Sequence, residues 1–376
     1  MKHRTLGRTA LDVGALGLGT EYLIDQPRKT VVDVIHRALE RGINYFDLFF
    51  AQAEFRSNMG AAFKGYRKGA VLAAHLGAGE IDGQYEKIRA PEQCEQLFLD
   101  FLTRFQTDYT DILFLHNSDS RQDYDELMKP EGLLEMARRF QKEGKTRFIG
   151  FSGHNTETSR KAVESGAVDV LMFPLNFSSH ALPGRQELLE ACVAHQVGFV
   201  AMKPYAGGNL LRTENRFEVA DNQMGRVQMA GSPMQFTKST QITPVQCLAY
   251  GLDQIGVSTV VPGCASIREL DAAVAYIDAT EKEKNYKALL PDFEAYKAAE
   301  CVHCNHCLPC PSHIDIGQTL RLLQSARQEP TREVKAAYNA LSADASHCIQ
   351  CGECVERCPF DIDVISQMEE ADSLLG

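Results

Sequence analysis

Residues 301–311 read CVHCNHCLPCP and residues 348–359 read CIQCGECVERCP. The second run spaces its thiols as C-x2-C-x2-C-x3-C before a proline, the arrangement by which one winding loop supplies thiolates to a 4Fe-4S cluster. The first run, Cys301, Cys304, Cys307 and Cys310, is one residue shorter at its last interval. Zinc also takes four thiolates, but its sites favour separate C-x2-C knuckles over three or four cysteines in a single loop, so the spacing points to iron and sulfide. In paired runs of this kind the fourth cysteine of each crosses to the other cluster. The expected ligand sets are Cys301, Cys304 and Cys307 with Cys358, and Cys348, Cys351 and Cys354 with Cys310. Two such clusters side by side make a short path for electrons. The other four of the twelve cysteines, Cys94, Cys192, Cys247 and Cys264, stand alone in apolar or helical settings and read as small buried hydrophobes.

The elements that must hold these groups fall into two rhythms. Around the cysteine runs, IGQTLRLLQSARQEP and TREVKAAYNALSA carry helical periodicity, so residues 286–376 read as a small all-α, ferredoxin-like domain with two 4Fe-4S clusters. In residues 1–285, short apolar segments recur: ALGLG, NYFD, VLAAH, DILFLH, RFIGFS, DVLMFP, GFVAMK and VSTVVPG. Amphipathic stretches such as KTVVDVIHRALERG, PEQCEQLFLDFLTRF and RQELLEACVAHQ separate them. Eight strand-then-helix units predict a (β/α)8 TIM barrel, and the lack of a G-x-G-x-x-G after the first strand disfavours an open doubly wound sheet. Chemistry in such a barrel sits at the carboxyl ends of the strands. That rule selects Glu21, Asp47, His75, His116, Ser152 with His154, Asn176, Lys203 with Tyr205, and the loop after Gly263. Three imidazoles and a carboxylate could hold a metal ion, but no motif fixes such a geometry. Acid-base work suits histidine better, because its ordinary pKa lies nearest neutrality.

Composition narrows the function classes. The net charge is -11, and residues 286–376 carry -7 of it, with 14 Asp or Glu against 7 Lys or Arg. Nucleic-acid binding needs a basic face, so it is excluded as an expectation. No stretch approaches the roughly 20 apolar residues of a membrane span, and the first twenty residues lack an apolar run of signal-peptide length, so a cytoplasmic chain is expected.

With these motifs in place, the chain resembles the aldo-keto reductases. The resemblance rests on KHRTLGRTALDVGALGLGT at the start, GINYFD, TDYTDILFLHN, IGFSGH and VVPGCAS, in that order and over nearly the whole length. The eight-cysteine tail is similar to that of the branch carrying a carboxyl-terminal ferredoxin module. The resemblance implies a barrel that reduces carbonyls with NADPH through a tetrad of Asp, Tyr, Lys and His, the tyrosine giving the proton and the lysine lowering its pKa. Laid over DLFFAQAEFRSNMG, that pattern keeps Asp47 but puts Gln52 at the tyrosine position, while His75 stands for the lysine and His116 is retained. A carboxamide has no proton to give at neutral pH. The usual nicotinamide and adenine contacts are replaced by Met172, Met202, Ala272 and Ala273. Ser152, Gly263, Ser266 and Arg268 remain as cofactor-binding candidates, so NADP(H) is left open as a cofactor.

The reading is an iron-sulfur oxidoreductase that passes electrons between two 4Fe-4S clusters and a small-molecule substrate at the barrel mouth. Asp47, His75, His116 and Lys203 are its catalytic candidates, with His116 or His75 delivering the proton, and a redox partner protein or a low-molecular-weight donor supplies electrons. Two alternatives stand beside it: a silent barrel serving as an electron-transfer or redox-sensing partner, and an NADPH-dependent carbonyl reductase with a replaced proton donor.

Overall fold

The computed structural model describes residues 1–211, 216–220, 237–294 and 300–376. Eight parallel strands form one sheet in sequential order: β1 (Leu18–Gly19), β2 (Tyr45–Leu48), β3 (Val71–Leu76), β4 (Thr110–Leu115), β5 (Thr146–Ser152), β6 (Val170–Pro174), β7 (Gly198–Met202) and β8 (Val257–Val261). Parallel bridges from Leu16 to Val260 and from Gly19 to Gly263 join the first strand to the last, so the sheet closes into a barrel. Each of the eight segments read as strands contributes one of these elements. Parallel strands buried on both faces appear as unbroken apolar runs, which is why they were legible.

Helices cover the outside through the apolar stripes their spacing predicts. Val31, Val34, Ile35 and Ala38 of helix Arg28–Glu40 are buried, as are Cys94, Phe98, Phe101, Leu102 and Phe105 of helix Pro91–Phe105, which has proline at its first turn. Inside the barrel, Tyr45, Ala73, Ile112, Phe114, Met172 and Val200 pack together, and Leu6, Leu11 and Val13 from the hairpin His3–Thr5 with Asp12–Gly14 plug the floor. Cys94, Cys192, Cys247 and Cys264 are buried as expected, and burial pushes the Cys94 thiol up to about 11 and those of Cys192 and Cys264 to about 12, which makes them inert.

Two further hairpins interrupt the βα rhythm: Ala78–Ile81 with Gln84–Lys87, and Arg216–Ala220 with Thr237–Gln241. The first turns on Asp82 and Gly83, both at positive φ (50° and 75°), the backbone a two-residue primed turn requires. Beyond the barrel, helices Ile316–Gln328, Arg332–Asn339 and Val364–Leu375 frame the cysteine runs. Among the described residues no helix is long and apolar enough to cross a membrane.

Candidate active site

At the carboxyl ends of the barrel strands lies a cavity of about 350 Å³. Asp47, His75 and His116, from the ends of β2, β3 and just past β4, line it together. They are linked end to end. His75 Nε2 lies 2.8 Å from Asp47 Oδ1, and His75 Nδ1 lies 2.9 Å from His116 Nδ1. The other ring nitrogen of His116, Nε2, lies 2.8 Å from the hydroxyl of Tyr85, which stands on the inserted hairpin. All four side chains are buried. Burial, reinforced by His75 and His306, holds the His116 imidazole well below its ordinary pKa and so neutral, and burial pushes the Tyr85 phenol above its own.

Lys203 stands apart from this chain. At the end of β7, with φ of 56°, it directs Nζ to His154 Nε2 at 3.2 Å, and His154 Nδ1 meets Asp119 Oδ2 at 3.0 Å. Asp119 also accepts from the His154 amide. Burial is the largest influence on both partners: it lowers the His154 pKa, while the pull of His154 outweighs it at Asp119 and keeps that carboxyl below its usual range. The result is an ionised carboxylate, a neutral imidazole and the Lys203 head group in a row, a second Asp-His pair on the same rim.

Glu21 also lines the cavity, and its Oε1 is buried with no hydrogen-bond partner. Burial, with Asp47 adding and Lys203 opposing, pushes its carboxyl up to about 7. A carboxylic acid poised at neutrality can give or take a proton there. Gln52, at the position of the family's tyrosine, does not line the cavity: its Nε2 donates to Asp25 Oδ1 at 2.9 Å. Phe49 fills that wall instead, stacked on His116 at 5.5 Å between ring centres.

The cysteine region forms the opposite wall. Val302 and His306 of the first run and Arg321 of helix Ile316–Gln328 line the same cavity. The His306 ring lies 4.9 Å from that of His154, 5.5 Å from Tyr85 and 5.9 Å from His116, and its Nδ1 is buried without a partner. The donor sets fit two clusters with the crossed pairing. After burial, the thiols that push Cys307 upward are those of Cys304, Cys301 and Cys358, with Cys354 last, and those that push Cys354 upward are Cys351, Cys348 and Cys310. Cys310, Cys348, Cys351 and Cys354 line one pocket together with Ile314, Ile316, Val364 and Met368. None of the eight sulfurs is joined in a disulfide; Cys304 is buried against the barrel and Cys351 is exposed. Among the described residues, no group of three or more His, Cys, Asp or Glu converges on a single ion.

The cofactor-binding candidates divide. Ser152 and Gly263 line the cavity, whereas Ser266 and Arg268 do not. The Ser266 hydroxyl caps helix Ile267–Val274 by accepting from the Glu269 amide, Arg268 is exposed, and the Glu269 carboxylate accepts from the Ala265 amide at 2.7 Å. A carboxylate on that amide competes with a phosphate, so the residues present match the phosphate end of NADP(H) poorly.

Sequence reasoning missed Tyr85, His306 and Asp119. For Tyr85 a signal was available in IDGQY, whose Asp-Gly marks a hairpin. His306 was hidden in a run read only for its thiols, and nothing in NSDS singles out Asp119.

Comparison with known proteins agrees with this architecture. The aldo/keto reductase family profile matches residues 10–289, and a 4Fe-4S dicluster domain profile matches residues 300–363. The chain is 25% identical over 304 residues to the uncharacterized oxidoreductase YqkF of Bacillus subtilis (strain 168), covering 77% of this chain and 95% of that one. It is 24% identical over 307 residues to the L-galactose dehydrogenase of Arabidopsis thaliana, covering 78% and 93%. The aldo-keto reductase AKR11C1 from Bacillus halodurans, solved in its holo form, shares the fold with a TM-score of 0.60 at 21% identity, covering 79% of this chain and 97% of that one. With a family match over more than half of its length and a closed eight-stranded barrel beneath it, the chain belongs to the aldo/keto reductase family, an oxidoreductase whose barrel is followed by a 4Fe-4S dicluster domain.

Proposed function

We propose that this oxidoreductase passes electrons between its two clusters and a small organic substrate held at the barrel mouth, reducing a carbonyl, an activated double bond or a carbon-oxygen bond. Residues 1–285 are taken as the substrate-binding barrel and 286–376 as the electron-carrying unit. The observation that carries the reading is the seat of the first cysteine loop: Val302 and His306, on either side of Cys304, line the cavity shared by Asp47, His75 and His116. When bound, the clusters held by Cys301, Cys304, Cys307 and Cys358 and by Cys348, Cys351, Cys354 and Cys310 supply one electron each, the pair that turns a carbonyl into an alcohol.

Two protons must accompany that pair, and this chain's residues hold them. Neither His75 nor His116 has a ring nitrogen left for a substrate, since each nitrogen already meets a neighbour. The expectation that one of them is the direct donor therefore gives way to Asp47, which lines the same cavity and meets His75 through Oδ1, with Glu21 as the second acid. Lys203, held by His154, and Ser152 position the substrate. No hydride step is assigned to NADP(H), because Ser266 and Arg268 do not reach the cavity. Electrons enter from a soluble carrier protein or a low-molecular-weight donor on the exposed side of Cys351.

The test is anaerobic stopped flow. Protein reduced with dithionite is mixed with small aldehydes, ketones and enones, and the visible absorption of oxidised clusters is followed. Saturable reoxidation by one of these classes, with the reduced product recovered, is expected. No reoxidation by the whole panel, with ready reoxidation by an electron-carrier protein, would establish the silent barrel instead; cluster reduction by NADPH alone would establish the nicotinamide reading.

A further inference from the structure

We propose that the phenol of Tyr85 is the entry of a four-membered proton relay, Tyr85 to His116 to His75 to Asp47, polarised toward the cavity. The proposal rests on the reading of the barrel mouth as the active site and adds to it a residue that no motif assigns, on an element outside the βα rhythm. The three contacts measure 2.8, 2.9 and 2.8 Å from one end to the other.

The polarity follows from what each group can offer. An ionised carboxylate only accepts, so His75 Nε2 carries the hydrogen that faces Asp47. In the proposed relay the His75 ring carries one N–H and one lone pair, which leaves its Nδ1 as an acceptor. His116 Nδ1 must then donate, its Nε2 must accept, and the Tyr85 hydroxyl must donate to it. One charge, on Asp47, thus orients all three bonds. In transit each hop breaks an O–H or N–H bond at the donor and forms one at the next atom. Asp47 gains the proton and passes it to the substrate oxygen, forming O–H there and returning to carboxylate. The Tyr85 oxygen regains its hydrogen from a solvent proton, so one proton enters for each that leaves, and each imidazole, left with its hydrogen on the opposite nitrogen, must shift it back before the next pass.

The position of Tyr85 joins this relay to the cysteine region. Its neighbour Gln84 clamps Cys310 from both sides, donating from Nε2 to the Cys310 carbonyl at 3.2 Å and accepting the Cys310 amide at 2.8 Å. The Tyr85 ring lies against His306 of the same loop. The hairpin that fastens the cysteine loop to the barrel therefore also carries the far end of the proton path. Because Tyr85 acts through His116, it is a positioning residue.

The test uses anaerobic holoprotein labelled with ring-¹⁵N histidine. In the wild type, His116 is expected to show a protonated Nδ1 and an unprotonated, hydrogen-bonded Nε2, the less common tautomer of imidazole in water. Tyr85→Phe should shift the Nε2 resonance toward that of a free lone pair. With a compound from the stopped-flow panel, Tyr85→Phe should lower the rate constant about a hundredfold and leave KM unchanged. Asp47→Asn, which keeps every ring in place, should move the His116 proton to Nε2. A wild-type His116 protonated at Nε2, a resonance indifferent to Tyr85→Phe, or a tautomer indifferent to Asp47→Asn would each overturn the relay. These spectra decide it even where no compound in the panel is turned over, so its failure is separable from failure of the proposed function.

Discussion

A β-carbon on Gly207 would sit 2.5 Å from the Val302 carbonyl oxygen and 2.6 Å from the Val302 Cα. The loop after β7 and the first cysteine loop thus meet backbone to backbone, at a residue whose φ of 69° also favours glycine. Gly207→Val should push the two loops apart. A destabilisation of about 1–3 kcal/mol is expected from the overpacking. The sharper readout is functional: cluster reoxidation by a panel substrate should slow much more than reoxidation by ferricyanide, which reaches the clusters from solvent. Equal slowing of both would show that this contact does not couple the loop to the cavity.

The metal content is a direct consequence of the two thiol sets. Anaerobically purified protein should be brown and hold about eight iron and about eight acid-labile sulfide per chain. Cys351 is exposed whereas Cys304 is buried under the barrel. Limited air oxidation should therefore remove the Cys348, Cys351, Cys354 and Cys310 cluster first, leaving about four iron and one reduced-state EPR signal. Stoichiometric zinc without sulfide would refute the assignment, and random loss of both clusters would refute the order.

The histidine chain makes a paired prediction. His116→Ala and His75→Ala each interrupt the link between Tyr85 and Asp47, and each should cost about a hundredfold to ten-thousandfold in rate while iron and sulfide stay at wild-type levels. Gln52→Tyr should not install ordinary carbonyl reduction, because this position faces Asp25 and not the cavity, and the lysine that would lower a phenol pKa is His75. Near wild-type turnover in both histidine variants would remove the relay from the reaction.

How much of this was legible differs by kind of signal. The eight strands could be read because buried parallel strands are continuous apolar runs between turns, and strand order then put Asp47, His75 and His116 on one rim. The crossed cysteine sets rest on the pairing rule of two-cluster runs, and the pocket shared by Cys310, Cys348, Cys351 and Cys354 supports one of them. What could not be read is which ring nitrogen meets which partner, since that depends on side-chain direction across three elements. Tyr85 shows the limit: IDGQY announces a turn, but only the folded hairpin brings its hydroxyl to His116, 31 residues on in the chain. His306 was obscured for a different reason, because the thiols around it account for the run so fully that its imidazole had no signal of its own.

Glu21 gives the pH dependence its sign. Its folded pKa is about 7 against 4.5 for the ordinary carboxyl, so the folded protein holds this proton more tightly than the unfolded chain does. The stability it contributes is full below about 4.5 and is lost as pH rises through about 7. The shift is worth on the order of 1–3 kcal/mol once the access of the cavity to water is allowed for. Glu21→Gln removes the titration, so the variant's melting temperature relative to wild type should rise between about pH 5 and about pH 7.5 and then level off. As the second acid, Glu21 should also impose a falling limb on the wild-type rate near neutral pH, because the ionised carboxylate has no proton to give. In Glu21→Gln that limb should vanish and the rate below it should drop by about a hundredfold. A variant whose melting temperature tracks wild type at every pH would show that Glu21 titrates as an ordinary carboxylate; a rate limb that survives the substitution would assign the second proton to another group.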